Sequence, residues 1–374
     1  MASSVADARP ELIAFYLPQF HPIPENDEWW GKGFTEWTNV ARTRPHFSGH
    51  VQPRLPADLG FYDLRVPDTR LAQAELARSA GITAFCYYHY WFGGRRLLER
   101  PFDDVLSSGE PDFPFLLCWA NENWTRRWDG QDREVLIAQS HSEEDDRNHL
   151  RALAAALSDK RYYRIDGRPV LLIYRTDLLP TPQRTAEVWR EEALRLGVGE
   201  ILLGRVENFG GEINPQAIGF DFAVEFAPRW SRGLQRRRGM NPLAFLRSRN
   251  LLRDGLSENT VFSYPELVSS MLDRERVSYP LFRCACPSWD NSPRRKTGAT
   301  IFIDANPALF QAWLERLIAT RSTFHGKPAP IFVNAWNEWA EGAHLEPCSV
   351  YGHGFIDAVR NAVATAVASG AEPT

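Results

Sequence analysis

Eight short apolar runs, separated by longer amphipathic stretches, set the tightest limit on what this chain can fold into. They lie at 12–17 (LIAFYL), 82–87 (ITAFCY), 115–119 (FLLCW), 170–174 (VLLIY), 201–206 (ILLGRV), 220–226 (FDFAVEF), 281–285 (LFRCA) and 331–336 (IFVNAW). Most are nearly continuous in apolar residues, the pattern of parallel strands covered on both faces. Helix patterns fall between them, near 67–80, 97–108, 142–158, 182–196, 264–274, 306–320 and 354–368. The clearest is 306–320, where Phe310, Trp313, Leu314, Leu317 and Ile318 share one face and Asn306-Pro307 reads as an N-cap followed by an N1 proline. Only 214–218 offers a helix after the fifth run.

Strand and helix alternating eight times over about 350 residues is the count of an α/β, (β/α)8 TIM barrel. The competing doubly wound sheet would place a glycine-rich turn after its first strand. Here that turn reads YLPQFHPIP, without glycine. The expected organisation is one barrel domain over 11–368, with tails at 1–10 and 369–374. Two long connections, 18–66 and 227–263, are expected over the C-terminal mouth.

Composition narrows the function classes. Forty-three basic and 47 acidic residues give a net charge of −4, which argues against a nucleic-acid partner. No apolar run is long enough to span a membrane, and the first 20 residues lack the basic flank and apolar core of a secretory leader. The five cysteines are an odd number, four of them in apolar or strand-like stretches, and are read as reduced, buried thiols of a cytoplasmic protein. Cys284 and Cys286 have no partners at zinc spacing, so neither a metal nor a cofactor is expected.

The 13 Trp, 11 Tyr and 22 Phe are distributed unusually, because many Trp sit beside Asn, Glu, Asp or Arg. Flat rings beside hydrogen-bonding groups suit a ligand with apolar faces and a hydroxyl rim, such as a sugar. In a barrel the reactive side chains stand where strands end. Those ends supply Tyr16, Gln19 and His21; Tyr87, Tyr88, His89 and Trp91; Asn121, Glu122, Asn123 and Trp124; Tyr174; Glu207; and Glu225. The last two ends add Trp289, Asp290 and Asn291, then Asn334, Trp336 and Asn337. Trp37 of the first long loop joins them as a possible stacking platform; pinning that loop is the other reading. His89 could equally be a satisfied rim histidine, and Glu207 and Glu225 could be ion-pair partners of arginines.

Glu338-Trp339-Ala340-Glu341 is the sharpest element. Two carboxylates three residues apart on a helical turn share a face, and like charges held close raise one pKa. An acid and a base side by side are what glycosidic bond cleavage uses. The bland reading places both in the first turn of the last helix, where carboxylates favour the helix dipole.

Long stretches resemble the WbsX-type family, also described as glycoside hydrolase family 99-like: FYLPQFHPIPENDEWWGKGFTEWTNV, DLGFYDLR, CYYHYWFGGRRLLERPF, LCWANENWTRRWDG, YRIDGRPVLLIY, PSWDNSPRR and NAWNEWAEGAHLEP. The resemblance implies a (β/α)8 barrel acting on carbohydrate of a surface polysaccharide or O-antigen type. A more distant similarity to family 99 endo-α-mannosidases rests on the E-x-x-E. It implies Glu341 as general acid/base, Glu338 as base toward the sugar's 2-hydroxyl, and retention through a 1,2-anhydro intermediate. Two alternatives stand beside a hydrolase: a glycosyltransferase of lipopolysaccharide, capsule or exopolysaccharide synthesis, and a non-catalytic glycan-binding barrel.

The expected partner is an oligosaccharide or polysaccharide. The 227–263 insertion carries Arg229, Arg232, Arg236, Arg237, Arg238, Arg247, Arg249 and Arg253 against Asp254. Arginine forks suit an anionic or lipid-pyrophosphate-linked glycan, and a solvated helix face is the plainer reading. A weak amphipathic pattern at 242–252 would allow peripheral membrane contact.

Overall fold

A computed structural model of the chain describes residues 9–126, 131–207, 211–229, 234–236, 258–295 and 297–370. Eight parallel strands form its centre: β1 (Leu12–Tyr16), β2 (Ala84–Phe92), β3 (Phe115–Trp119), β4 (Arg168–Ile173), β5 (Leu202–Glu207), β6 (Phe222–Glu225), β7 (Leu281–Phe282 continued by Cys284–Ala285) and β8 (Ile331–Val333). Each pairs with the next in parallel register, and β8 returns to β1 through Leu12↔Ile331, closing the barrel. The two halves of β7 divide the work. Leu281–Phe282 pairs with β6 and Cys284–Ala285 with β8.

Helices cover the outside: Pro67–Ala80, Arg100–Ser108, Glu143–Ser158, Pro182–Arg195, Tyr264–Leu272, Pro307–Ala319 and Gly354–Ser369. The expected helical face of Phe310, Trp313, Leu314, Leu317 and Ile318 is buried, and Asn306 caps it by accepting from the Leu309 N–H at 2.9 Å. After β5 there is only the 3₁₀ turn Pro215–Ile218, as the faint sequence signal there implied. Several ends differ from expectation. The helix expected from 97 begins at Arg100, because Arg95–Leu97 instead folds back on β2 as an antiparallel strand. Gly93 and Gly94, with φ of 55° and 93°, make the tight turn between them. Outside the barrel, Thr260–Ser263 and Thr300–Ile303 form an unexpected parallel pair.

All five cysteines are buried and unpaired. No helix among the described residues is long and apolar enough to cross a membrane. Of the insertion's arginines, Arg229 pairs with Glu212 at 2.6 Å and Arg236 donates to the Asn259 carbonyl at 2.6 Å. Arg232, Arg237, Arg238, Arg247, Arg249, Arg253 and the 242–252 segment lie outside the described residues.

Candidate active site

Glu338 ends a two-residue strand, Asn337–Glu338, paired antiparallel with Ala343–His344. Trp339–Glu341 forms a single 3₁₀ turn between them, closed by Gly342 at φ 61°. The last helix starts later, at Gly354, so neither carboxylate caps it and the helix-dipole reading of this motif fails. Arg294, on the 3₁₀ turn Ser292–Arg294 after β7, faces both acids. Its Nη1 donates to Glu341 Oε1 at 2.5 Å; its Nη2 donates to Glu338 Oε2 at 3.0 Å and to Glu36 Oε1 at 3.1 Å. Side-chain exposure is 21% for Glu341, 7% for Glu338, 17% for Arg294 and zero for Glu36.

One guanidinium therefore faces three carboxylates. Burial pushes Glu338 up to about 8; Arg294 pulls it back, and Glu341 and Glu36 push it further up. Burial also raises Glu36, again against the pull of Arg294. The like-charge argument thus has the right direction, but desolvation is the larger cause.

These acids open on a cleft at the C-terminal end of the barrel. It holds about 860 Å³ of atom-free space, its open mouth included. Gln19 and Leu17 enter from the end of β1, Tyr88 and Tyr90 from β2, Glu122, Asn123, Trp124 and Thr125 from beyond β3, and Tyr174 from β4. Phe226 follows β6, Arg294 follows β7, and Glu338 and Glu341 follow β8. Aromatic edges meet along the wall: Tyr88 on Tyr174 at 6.0 Å, Tyr174 on Phe226 at 5.3 Å and Trp124 on Tyr90 at 5.3 Å. Gln19 Nε2 donates to the Tyr90 hydroxyl at 2.7 Å.

Other expected site residues lie outside the cleft, for identifiable reasons. Strand alternation turns Tyr87, His89 and Trp91 away from Tyr88 and Tyr90. Tyr87 packs on Phe102, and Trp91 stacks on His149 while its indole N–H reaches Asp145. His89 bonds His149 at 2.9 Å, and burial lowers its pKa to about 3. Tyr16 donates to Gln73 of the neighbouring helix. His21 is buried near Asp63 and Arg65, its pKa lowered to about 4 by burial. Trp37 pins the first long loop, packing on Phe20, Tyr62 and Trp339, with its indole N–H on the Tyr62 carbonyl.

Asn121 clamps the Arg175 backbone by two bonds, and Asn337 clamps Leu17 in the same way. Glu207 and Glu225 are ion-pair residues, both bound to Arg274, with Glu225 also on Arg283. Asn334 donates to the Ala227 carbonyl, and Trp336 is buried against Phe85. Trp289 is buried, and its carbonyl accepts from the Phe302 N–H. Asn291 accepts from the Thr300 N–H.

Asp290 holds the site from behind. Its backbone N–H donates to the Glu341 carbonyl at 2.7 Å, and its carboxylate accepts from His50, Gln52 and the Ser292 N–H. Burial raises its pKa, but these donors and Arg54 outweigh burial and hold it at about 2.

Glu36 and Arg294 are the site residues that sequence reading missed. Both stood inside quoted motifs, but a sequence separation of 258 hides their contact. Glu346 was missed as well. It accepts from Tyr62, Gln73 and the Trp339 indole beneath the acid pair, and burial raises it to about 7.

Comparison with known proteins agrees with this architecture. In Xanthomonas campestris pv. campestris strain B100, the uncharacterized protein WxcX is 47% identical over 356 residues, which is 95% of this chain and 50% of that protein. The chain thus spans about half the length of the curated relatives it matches. Among solved structures, a glycoside hydrolase-like protein superposes with TM-score 0.58 at 15% identity, over 96% of this chain and 95% of that one. The family 99 endo-alpha-mannosidase of Bacteroides thetaiotaomicron does so with TM-score 0.57 at 13% identity, over 96% and 98%. At such identities the likeness is one of fold. The family profile described as "Glycosyltransferase WbsX" matches residues 12–359, and the chain belongs to that WbsX family.

Proposed function

We propose that residues 11–368 form a carbohydrate-active enzyme that cleaves glycosidic bonds of a surface polysaccharide or O-antigen-type glycan with retention. The observation that carries this reading is the placement of Glu338 and Glu341 on one guanidinium at the floor of an aromatic-walled cleft. Tyr88, Tyr90, Trp124 and Tyr174 supply faces for sugar rings; Gln19, Glu122 and Asn123 supply groups for hydroxyls. Glu341, the more exposed acid, protonates the leaving oxygen. Glu338, nearly buried, draws the proton from the sugar's 2-hydroxyl, which then attacks the anomeric carbon and displaces the leaving group to give a 1,2-anhydro sugar. Water, deprotonated by Glu341, opens it from the other side while Glu338 returns its proton to the 2-oxygen, so both acids are reset and the configuration is kept. Five buried thiols are in keeping with a reducing, cytoplasmic setting.

The test is Glu341→Gln. Turnover is expected to fall by at least about 10²-fold, within the range ascribed to one acid/base group, while glycan binding measured by calorimetry survives. Unchanged turnover in this variant removes the assignment. The family's description favours a second reading, glycosyl transfer. Release of a nucleoside diphosphate from a sugar nucleotide, with no polysaccharide cleavage, would decide for transfer.

A further inference from the structure

Glu36 has no place in the cleft wall, yet it shares the guanidinium that holds the two reacting acids. Its side chain is fully buried at the start of the short helix Glu36–Arg42. One oxygen accepts from Arg294 Nη2 at 3.1 Å, the same nitrogen that serves Glu338 at 3.0 Å. The other oxygen, Oε2, is buried without a hydrogen-bond partner among the described residues. A buried carboxylate held by a single shared donor is costly to keep unless its charge has a use. Nη2 carries two N–H groups; Glu36 takes one beside Glu338, and its charge offsets part of the guanidinium's pull.

We propose that Glu36 is a positioning residue that works through Arg294, weakening the guanidinium's hold on Glu338 and so making that carboxylate a stronger base. The inference rests on the reading of Glu338 and Glu341 as the reacting pair. Arg294, Glu341 and Glu36 are the charged groups whose fields act on Glu338, and Tyr88, Tyr90 and Tyr174 are the titratable side chains coupled to it across the cleft. Removing the Glu36 charge leaves Arg294 to two acids in place of three. Glu338 then feels a guanidinium charge less offset and loses a repelling neighbour. Both changes favour its ionised form.

The experiment is an infrared titration of the unliganded protein, following the protonated-carboxyl band that Glu338→Gln abolishes. In Glu36→Gln the midpoint of that band is expected to shift to lower pH than in the unmodified protein. The same direction is expected in the pH dependence of kcat/KM. If Glu36→Gln does not fold, Glu36→Met fills the same buried volume without the carboxylate and carries the same expectation. An unmoved midpoint in the folded variant overturns the proposal. Because the titration needs no turnover, it separates the two claims: an active Glu338→Gln overturns the catalytic reading, and an unmoved midpoint overturns only the role of Glu36.

Discussion

Glu338 gives the pair a pH signature. Its carboxyl is raised to about 8, chiefly by burial. The proposed reaction needs one proton on the pair, so kcat/KM should fall as pH climbs through about 8 and that proton is lost. A pH–rate profile of kcat/KM checks this, and activity that keeps rising above pH 9 would contradict a shared proton. The acid pair was legible in the sequence because its two members are three residues apart after the last strand. Arg294 and Glu36 were not, because only the folded barrel brings the loops after β1 and β7 together. The run Tyr87 to Trp91 misled in another way. It reads as one polar-aromatic cluster, but strand alternation puts Tyr88 and Tyr90 in the cleft and sends His89 into a buried pair with His149.

At the scale of elements, the turn carrying the acids is fixed from outside itself. The Gly342 carbonyl accepts from Arg54 Nη1 at 3.1 Å and from the Ser288 hydroxyl, while the Glu341 carbonyl accepts from the Asp290 N–H. Gly342 takes φ 61°, and a Cβ there would stand 3.0 Å from both Asp290 Cβ and the Asp290 N. Strain and overlap act together, so Gly342→Ala is expected to destabilise the fold by about 1–3 kcal/mol and to lower kcat more than it raises KM. Denaturant melts and steady-state kinetics check the two parts; a variant equal to the parent in both would show that the turn tolerates movement. Strand existence was readable because buried parallel strands are near-continuous apolar runs. The pair Thr260–Ser263 and Thr300–Ile303 was not, since four-residue strands outside the barrel carry too short a pattern. The E-x-x-E turn was expected to be α-helical; it is a strand end followed by 3₁₀, because Asn337–Glu338 pairs with Ala343–His344.

For the whole molecule, closing eight strands places seven of their ends around one cleft and buries charge beneath it. Glu338 and Glu346 both have folded-state pKa values above their ordinary range, at about 8 and about 7. A raised carboxyl contributes stability that is complete below its unfolded pKa and is lost as pH rises through the folded value. Asp290 has the opposite sign: held at about 2, it contributes above its ordinary range and loses that contribution only in strong acid. Buried histidines such as His21 and His89, held neutral, act in the opposite direction between pH 5.5 and 8.5, so the test is a comparison: relative to the unmodified protein, Glu346→Gln should raise Tm at pH 8.5 more than at pH 5.5. A Glu346→Gln variant whose change in Tm is the same at both pH values would contradict the raised carboxyl.

The most direct measurement is anomeric proton NMR of a polysaccharide digest, recorded before the product mutarotates. The pair at the barrel mouth predicts that the first-formed reducing end keeps the configuration of the bond cleaved, and that Glu341→Gln yields no such signal. A first-formed product of inverted configuration would contradict the account.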